Sequence, residues 1–436
     1  MGKTFRPYLP DQDFLLPPSL RAWLPEGHLA YFVSDVVDQL DLSAMYALYG
    51  DEPRGQPPYD PLMMTKLLVY GYCLGVYSSR KIQQRVQEDV GFRVLAAGNE
   101  PDFRTISDFR KLHLKTLEGL FDQVLRIALE AGAMKVGRVA LDGTKVQANA
   151  SKHKAMSYGR MKQQEKELRA EIQAMLARAE AADADEDARY GEGHRGEPLP
   201  AELQRRQTRL KRIREAKRAL EQRARAKAEA EGQPAAEAKP SDKDQYNLTD
   251  PESRIMKGAT GFVQGYDAQI AVESDFQWIV GQRVTQAAND KEQVQPMVEV
   301  IEQQCGQRPE ELLADSGYCS EENLAALDSA EEPEKRIEAY IATGRQKHGE
   351  KKEPCPRGPL PKGATRVERM RRKLQTKAGA AVYAARKGIV EPVFGQIKHV
   401  RHFRQFLLRG LAKVRSEWAL VCLTHNLLKL HRLCYG

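Results

Sequence analysis

Three carboxylates stand where a carboxylate is costly or conspicuous. The first is Asp142, in Ala140-Leu141-Asp142-Gly143-Thr144-Lys145, an acid inside an otherwise apolar strand-like segment. Burying it unpaired would cost several kcal/mol, so it needs a metal, a cation or turn amides beside Gly143. The second is Asp315, in Leu312-Leu313-Ala314-Asp315-Ser316-Gly317-Tyr318, at the carboxyl end of an apolar run. Open α/β sheets place their sites there, although an acid in that position also serves as a helix cap or turn residue. The third is Glu391, in Ile389-Val390-Glu391-Pro392-Val393-Phe394-Gly395-Gln396-Ile397-Lys398, an acid in a basic helical region or a first-turn glutamate favoured by the helix dipole. Oxygen-only donor sets suit magnesium, with manganese as the alternative. Two such ions about 4 Å apart stabilise both the attacking and the leaving oxygen of a phosphoryl displacement.

Other acids and histidines fit the same chemistry less well. Asp267 reads as a satisfied sheet position and Asp290 as a helix N-cap. His399 and His402 are three apart, but no cysteine pair lies near them, which argues against zinc.

The elements that must position these acids change along the chain. Leu29 to Leu48 has apolar residues at helical spacing, and Asp60-Pro61 caps a second helix that Gly75 ends. A further helix from Arg80 to Val90 follows a short turn and presents Arg80, Lys81, Gln84 and Arg85, a helix-turn-helix-like arrangement suited to DNA or simply a wet helical hairpin. Asp102 to Glu130 reads as helical, capped at Ser107 or Asp108. Lys135 to Ala148 is β-favouring. Between 151 and 245 the apolar residues Met161, Leu168, Met175 and then Leu203, Leu210, Ile213, Leu220 repeat at heptad-like intervals, which predicts an inserted helical hairpin linked by an acidic loop from Asp183 to Pro200. Strands follow at Phe262–Val272, Trp278–Thr285, Glu311–Ala314 and Ala339–Ala342, with helices at Asp290–Gln304, from Glu321, and from Arg366 nearly to Tyr435. With the hairpin set aside, the order is strand, strand, strand, helix, strand, helix, strand, helix, which makes a mixed α/β sheet behind an all-α N-terminal part.

The 436 residues carry a net charge of +8, but the excess is local. Residues 345–415 hold 20 Lys and Arg against 4 Glu, a net +16, and the rest of the chain is −8. Such a tract suits a polyanion, or is a solvated basic linker. It contains Glu391, together with Lys398, Arg401 and Arg404. A metal site that works on DNA needs this pairing of an acidic cluster with a basic rim. No apolar run reaches the roughly 20 residues that span a bilayer, no secretory signal is visible, and six scattered cysteines fit reduced thiols in the cytoplasm.

These segments resemble the DDE transposases of bacterial insertion sequences. The similarity rests on "PPYDPLMMTKLLVYGYCLGVYSSRKIQ", "ALDGTKVQANAS", "ADSGYCSEENL" and "IVEPVFGQIKHVRHFRQFLLRG". The resemblance implies a ribonuclease H-like catalytic domain over 134–436, interrupted at about 151–245, behind a helical DNA-binding domain at 1–133. It implies that Asp142, Asp315 and Glu391 are catalytic and bind two magnesium ions. It further implies terminal inverted repeats and target DNA as partners, a homodimer in the synaptic complex, and a nucleoid-associated place in the cytoplasm. In one subgroup the third acid follows Tyr, two residues, Arg, three residues, and precedes Lys by seven. Tyr383, Arg386, Glu391 and Lys398 keep the outer spacings, but the middle gap is four residues, so Lys387 fills the arginine slot. Two other readings are a ribonuclease H-like nuclease without strand transfer and a repressor that binds DNA without chemistry.

Overall fold

Capping residues decide where most of the helices begin. The computed structural model describes residues 19–49, 57–190, 201–258, 261–287, 289–328, 336–344 and 355–435. The segment expected as one helix from Leu29 is two, α1 (Leu29–Asp38) and the single turn α2 (Ser43–Tyr46). In α3 (Pro61–Cys73) the Asp60 carboxylate accepts the Leu62 amide at 2.7 Å, and Pro61 occupies the first turn. Gly75 ends that helix with φ +74°, and a Cβ there would lie 2.7 Å from the Arg401 carbonyl oxygen. Then come α4 (Ser79–Glu88), α5 (Val90–Ala96), α6 (Phe103–Leu112) and α7 (Leu114–Glu130). The cap of α6 is Asp102, which accepts the Arg104 and Thr105 amides at 2.6 and 2.8 Å, so the expected caps Ser107 and Asp108 lie inside the helix.

The chain continues through β1 (Arg138–Gln147) and β2 (Ala155–Ser157) into the hairpin α8 (Tyr158–Tyr190) and α9 (Ala201–Ala230). The two helices meet along Met161, Leu168, Ile172, Leu203, Leu210, Ile213 and Leu220, a core separate from the main one. The heptad-like spacing marked this seam correctly. The expected acidic loop is helical from Asp183 to Tyr190, and residues 191–200 lie outside the described residues. β3 (Gln245–Asn247) pairs with β2 and closes the base of the arm.

Next come β4 (Arg254–Gly258), β5 (Gly261–Glu273), β6 (Ile279–Thr285), α10 (Val294–Cys305), β7 (Glu311–Ala314), α11 (Glu321–Leu327) and β8 (Glu338–Ile341). The sheet order is β4-β5-β1-β7-β8, with β6 also on β5; β5 runs antiparallel to β1, β4 and β6, and β7 runs parallel to β1 and β8. The protein is therefore a mixed α/β molecule.

The C-terminal region is not continuous helix. α12 (Arg366–Gln375) and α13 (Lys377–Gly395) lead into a π turn over Gln396–Val400, and His402, at φ 58°, turns the chain away. The following segment buries Phe403 and Phe406 before α14 (Leu411–Tyr435) begins. α14 packs on α7, α3 and β6, so one hydrophobic core runs from the N-terminal helices into the sheet. No described helix is long and apolar enough to cross a membrane.

Candidate active site

The parallel register of β1 and β7 brings two of the three acids together. Ala140 pairs with Leu313; Asp142 lies two residues further along β1, and Asp315 follows directly after β7, near enough for its charge to act on Asp142. Side chains alternate along a strand, so Asp142 and Thr144 share one face of β1, and Gly143 and Lys145 the other. α13 covers the first face. Arg386 Nη1 donates to Asp142 Oδ2 at 3.2 Å, and Lys398 Nζ donates to Thr144 Oγ1 and, at 3.1 Å, to the Lys145 carbonyl.

Each acid also takes a backbone amide. Asp142 Oδ1 accepts from Gly143 at 2.9 Å, and Asp315 Oδ1 accepts from Gly317 at 2.7 Å. The turn role weighed for Asp315 is thus real, yet it occupies one oxygen only. Burial pushes the Asp142 carboxyl up to about 6; Arg386 opposes that rise and the nearby Asp315 adds to it. Burial likewise raises the Tyr383 hydroxyl, against the pull of Arg386.

Glu391 lies on α13 with its side chain exposed, and among the described residues Asp315, not Glu391, is the acid that acts on Asp142. Among the described residues no three acids or histidines converge closely enough to hold one ion. The donor chemistry nevertheless fits a hard divalent cation. Asp142 and Asp315 offer oxygens side by side, and a guanidinium already stands against one of them.

The opposite face of β1 holds a buried network that the sequence did not disclose. Lys145 Nζ lies 2.8 Å from Asp267 Oδ2 and 3.7 Å from Asp290 Oδ1. Gln269 Nε2 donates to both acids at 2.8 and 2.7 Å, and its Oε1 accepts from the Tyr318 hydroxyl. Asp267 is fully buried and its Oδ1 has no partner, so the satisfied sheet position expected for it is only half satisfied. Burial, reinforced by Asp290 and opposed by Lys145, drives its carboxyl upward. Asp290 does not cap a helix with its side chain; it faces this cluster. The one sequence signal was an acid at alternate strand positions with Gln269, set opposite Lys145 by the register.

The residues expected to face DNA divide into two groups. Arg80, Lys81, Gln84 and Arg85 line the exposed side of α4, opposite the buried Ile82 and Val86. Arg80 also stacks over Phe103, and Gln84 donates to Glu88 at 2.9 Å. Lys387 and Arg404 are exposed, while Tyr383, Arg386 and Lys398 are half-buried around Asp142 and Thr144. Arg401 departs from expectation: it is 3% exposed, and its guanidinium donates to Thr424 Oγ1 at 2.7 Å and to the Val421 carbonyl at 3.1 Å. The π turn and the His402 reversal rotate it into the core, away from any surface.

The site is thus an acid pair formed by the middle of β1 and the turn after β7, beside a basic helix. Residues 18–112 match the family described as Transposase domain (DUF772), and residues 361–431 match the one described as Transposase DDE domain. The two matches support an insertion-sequence DDE transposase and so indicate a DNA transposase. The first covers the polar face of α4, and the second covers Glu391 and Lys398; Asp142 and Asp315 fall between them. No curated protein and no solved structure matches the chain significantly.

Proposed function

We propose that this chain cuts DNA at the ends of its element and joins the freed 3′-hydroxyl to target DNA, by divalent-metal-dependent phosphodiester chemistry. The observation that carries this reading is the approach of Asp142, on β1, and Asp315, just after the parallel strand β7, with Arg386 of α13 bonded to Asp142. Asp142, Asp315 and Glu391 would hold the ions, magnesium or manganese. A bound ion pair would supply Lewis-acid stabilisation of the attacking and leaving oxygens. Arg386 neutralises Asp142 and keeps it oriented; Lys398, held at Thr144, is placed to bind a phosphate beside the acids.

In this reading the sheet is ribonuclease H-like over 134–436, and the run β6-β5-β1-β7-β8 with a parallel β1–β7 pair supports that. Residues 1–133 act as the DNA-binding part through the exposed face of α4. The partners are terminal inverted repeats and target DNA, the acting form is a synaptic homodimer, and the setting is the bacterial nucleoid. The test is cleavage of duplexes carrying the DNA ends that flank the gene, with magnesium or manganese. Wild type is expected to nick and join, and Asp142→Asn to bind equally and do neither. Full cleavage by that variant would remove Asp142 from the chemistry, and nicking without joined products would leave a plain nuclease.

A further inference from the structure

The arm carries cations that its own packing does not use. Across and along the hairpin, Arg206 pairs with Glu171 and Glu202, and Arg214 and Lys217 pair with Glu165, at 2.6 to 3.2 Å. Arg205, Arg209 and Arg212 form a separate stripe on α9 at intervals of four and three residues, one face of a helix. All three are exposed, and none is in an ion pair among the described residues. Arg209 donates only to Gln164, at 3.2 Å.

That stripe is one wall of a groove of about 820 Å³. Its other wall is the start of the arm, with Lys154 and Arg160, and among the described residues no acid lines it. The floor is Met156, Ile213 and Leu248. Five cations in one concave surface, none in an ion pair among the described residues, repel one another and concentrate positive potential there, which is what a polyphosphate backbone neutralises.

Basic side chains also lead from the candidate active site along the end of β1 toward the groove. Lys398 reaches the Lys145 carbonyl, the Gln147 amide donates to the Arg404 carbonyl at 3.1 Å, and Arg409 Nε donates to the Asn149 carbonyl at 2.8 Å. Exposed Arg404 and Arg409 thus follow the end of β1 toward Lys154 at the groove. Twelve residues separate Asp142 from Lys154, and such a stretch spans at most about 40 Å, or about 12 base pairs of duplex.

We infer that the groove between α9 and the base of the arm binds the phosphate backbone of duplex DNA, within about 12 base pairs of the phosphate held at Asp142 and Asp315. The inference rests on the transposase reading and gives the arm a role in it: holding flanking duplex without reading its sequence.

The experiment measures the affinity of the full chain for a duplex of arbitrary sequence as a function of salt. It compares wild type, a triple variant (Arg205→Gln, Arg209→Gln, Arg212→Gln) and a charge-keeping triple variant with Lys at the same positions. Circular dichroism and gel filtration confirm that each is folded. The glutamine variant is expected to bind about tenfold or more weakly near 100 mM salt, with a salt slope shallower by about 2–3, since each phosphate contact contributes about 0.9. The lysine variant should keep most of the wild-type slope. Equal slopes and affinities for wild type and the glutamine variant would overturn the groove while leaving the transposase reading intact. A changed oligomeric state with an unchanged slope would also overturn it, by making the stripe a protein interface. Failure of wild type to bind any duplex would overturn both readings together.

Discussion

Arg386 and Asp142 lie 244 residues apart in the chain and meet at 3.2 Å across the face between α13 and β1. Among the described residues Arg386 is the one cation in hydrogen-bond contact with Asp142, and it opposes the desolvation that raises the carboxyl to about 6. Replacing Arg386 with Gln should therefore raise that carboxyl further, by about 1–3 pH units. The acid limb of magnesium-dependent cleavage should move to higher pH with little change in duplex binding. A profile that only falls in height, with its limb unmoved, would mean that Arg386 does not act through Asp142.

The same carboxyl gives the protein a pH-dependent stability. Its folded-state value, about 6, lies above the ordinary 3.8, so between those values the folded chain holds a proton that the unfolded chain has lost. Stability of the metal-free protein should fall as pH rises through that window, and the raised Asp267 carboxyl acts in the same direction. Magnesium, which binds only ionised carboxylates, should restore stability above the window, by about 2.7 kcal/mol at a hundredfold excess over its dissociation constant. Thermal melts with and without magnesium near pH 5 and near pH 7.5 check this; an equal shift at both would place the ion elsewhere.

Gly143 has no room for a side chain. A Cβ there would stand 2.9 Å from the Gln269 Cδ and 3.0 Å from Asp290 Oδ1, and Gln269 is fixed by Asp267, Asp290 and Tyr318. Gly143→Ala should cost about 1–3 kcal/mol in urea unfolding and weaken cleavage more than binding. A neutral substitution would show that the buried network can shift at no cost.

Glu417 is fixed in the core by groups from three directions. It accepts the Leu407 and Leu408 amides at 3.0 Å each and the Tyr72 hydroxyl at 3.4 Å, while burial raises it and Arg110 holds it down. Glu417→Ala leaves Arg110 buried without its counter-charge and should cost about 3–5 kcal/mol. Glu417→Gln, which keeps an acceptor for the amides, should cost clearly less. Urea melts of the two variants decide the matter.

What was legible in the sequence was local. Asp142 and Asp315 announced themselves as acids in apolar strands, Asp60-Pro61 as a helix start, and the heptad-like residues of the arm as a seam. What stayed hidden depends on register and on chain reversal. Lys145 meets Asp267 only because β1 and β5 pair as they do, and nothing near either residue announces the partner. Arg401 looked like one more surface cation in a basic tract until the π turn and the left-handed His402 turned it inward. Glu391 is set on the expected helix, but its distance from the aspartates is a property of α13 packing rather than of spacing along the chain.

The position of α14 sets an order of events during synthesis. The helix supplies the surface on which α7, α3 and β6 all close, yet it follows all three in the chain. The faces of α3 and α7 that meet α14 therefore stay uncovered until residues 411–435 have been made. A chain cut short before residue 411 would leave those apolar faces exposed, which favours aggregation and proteolysis.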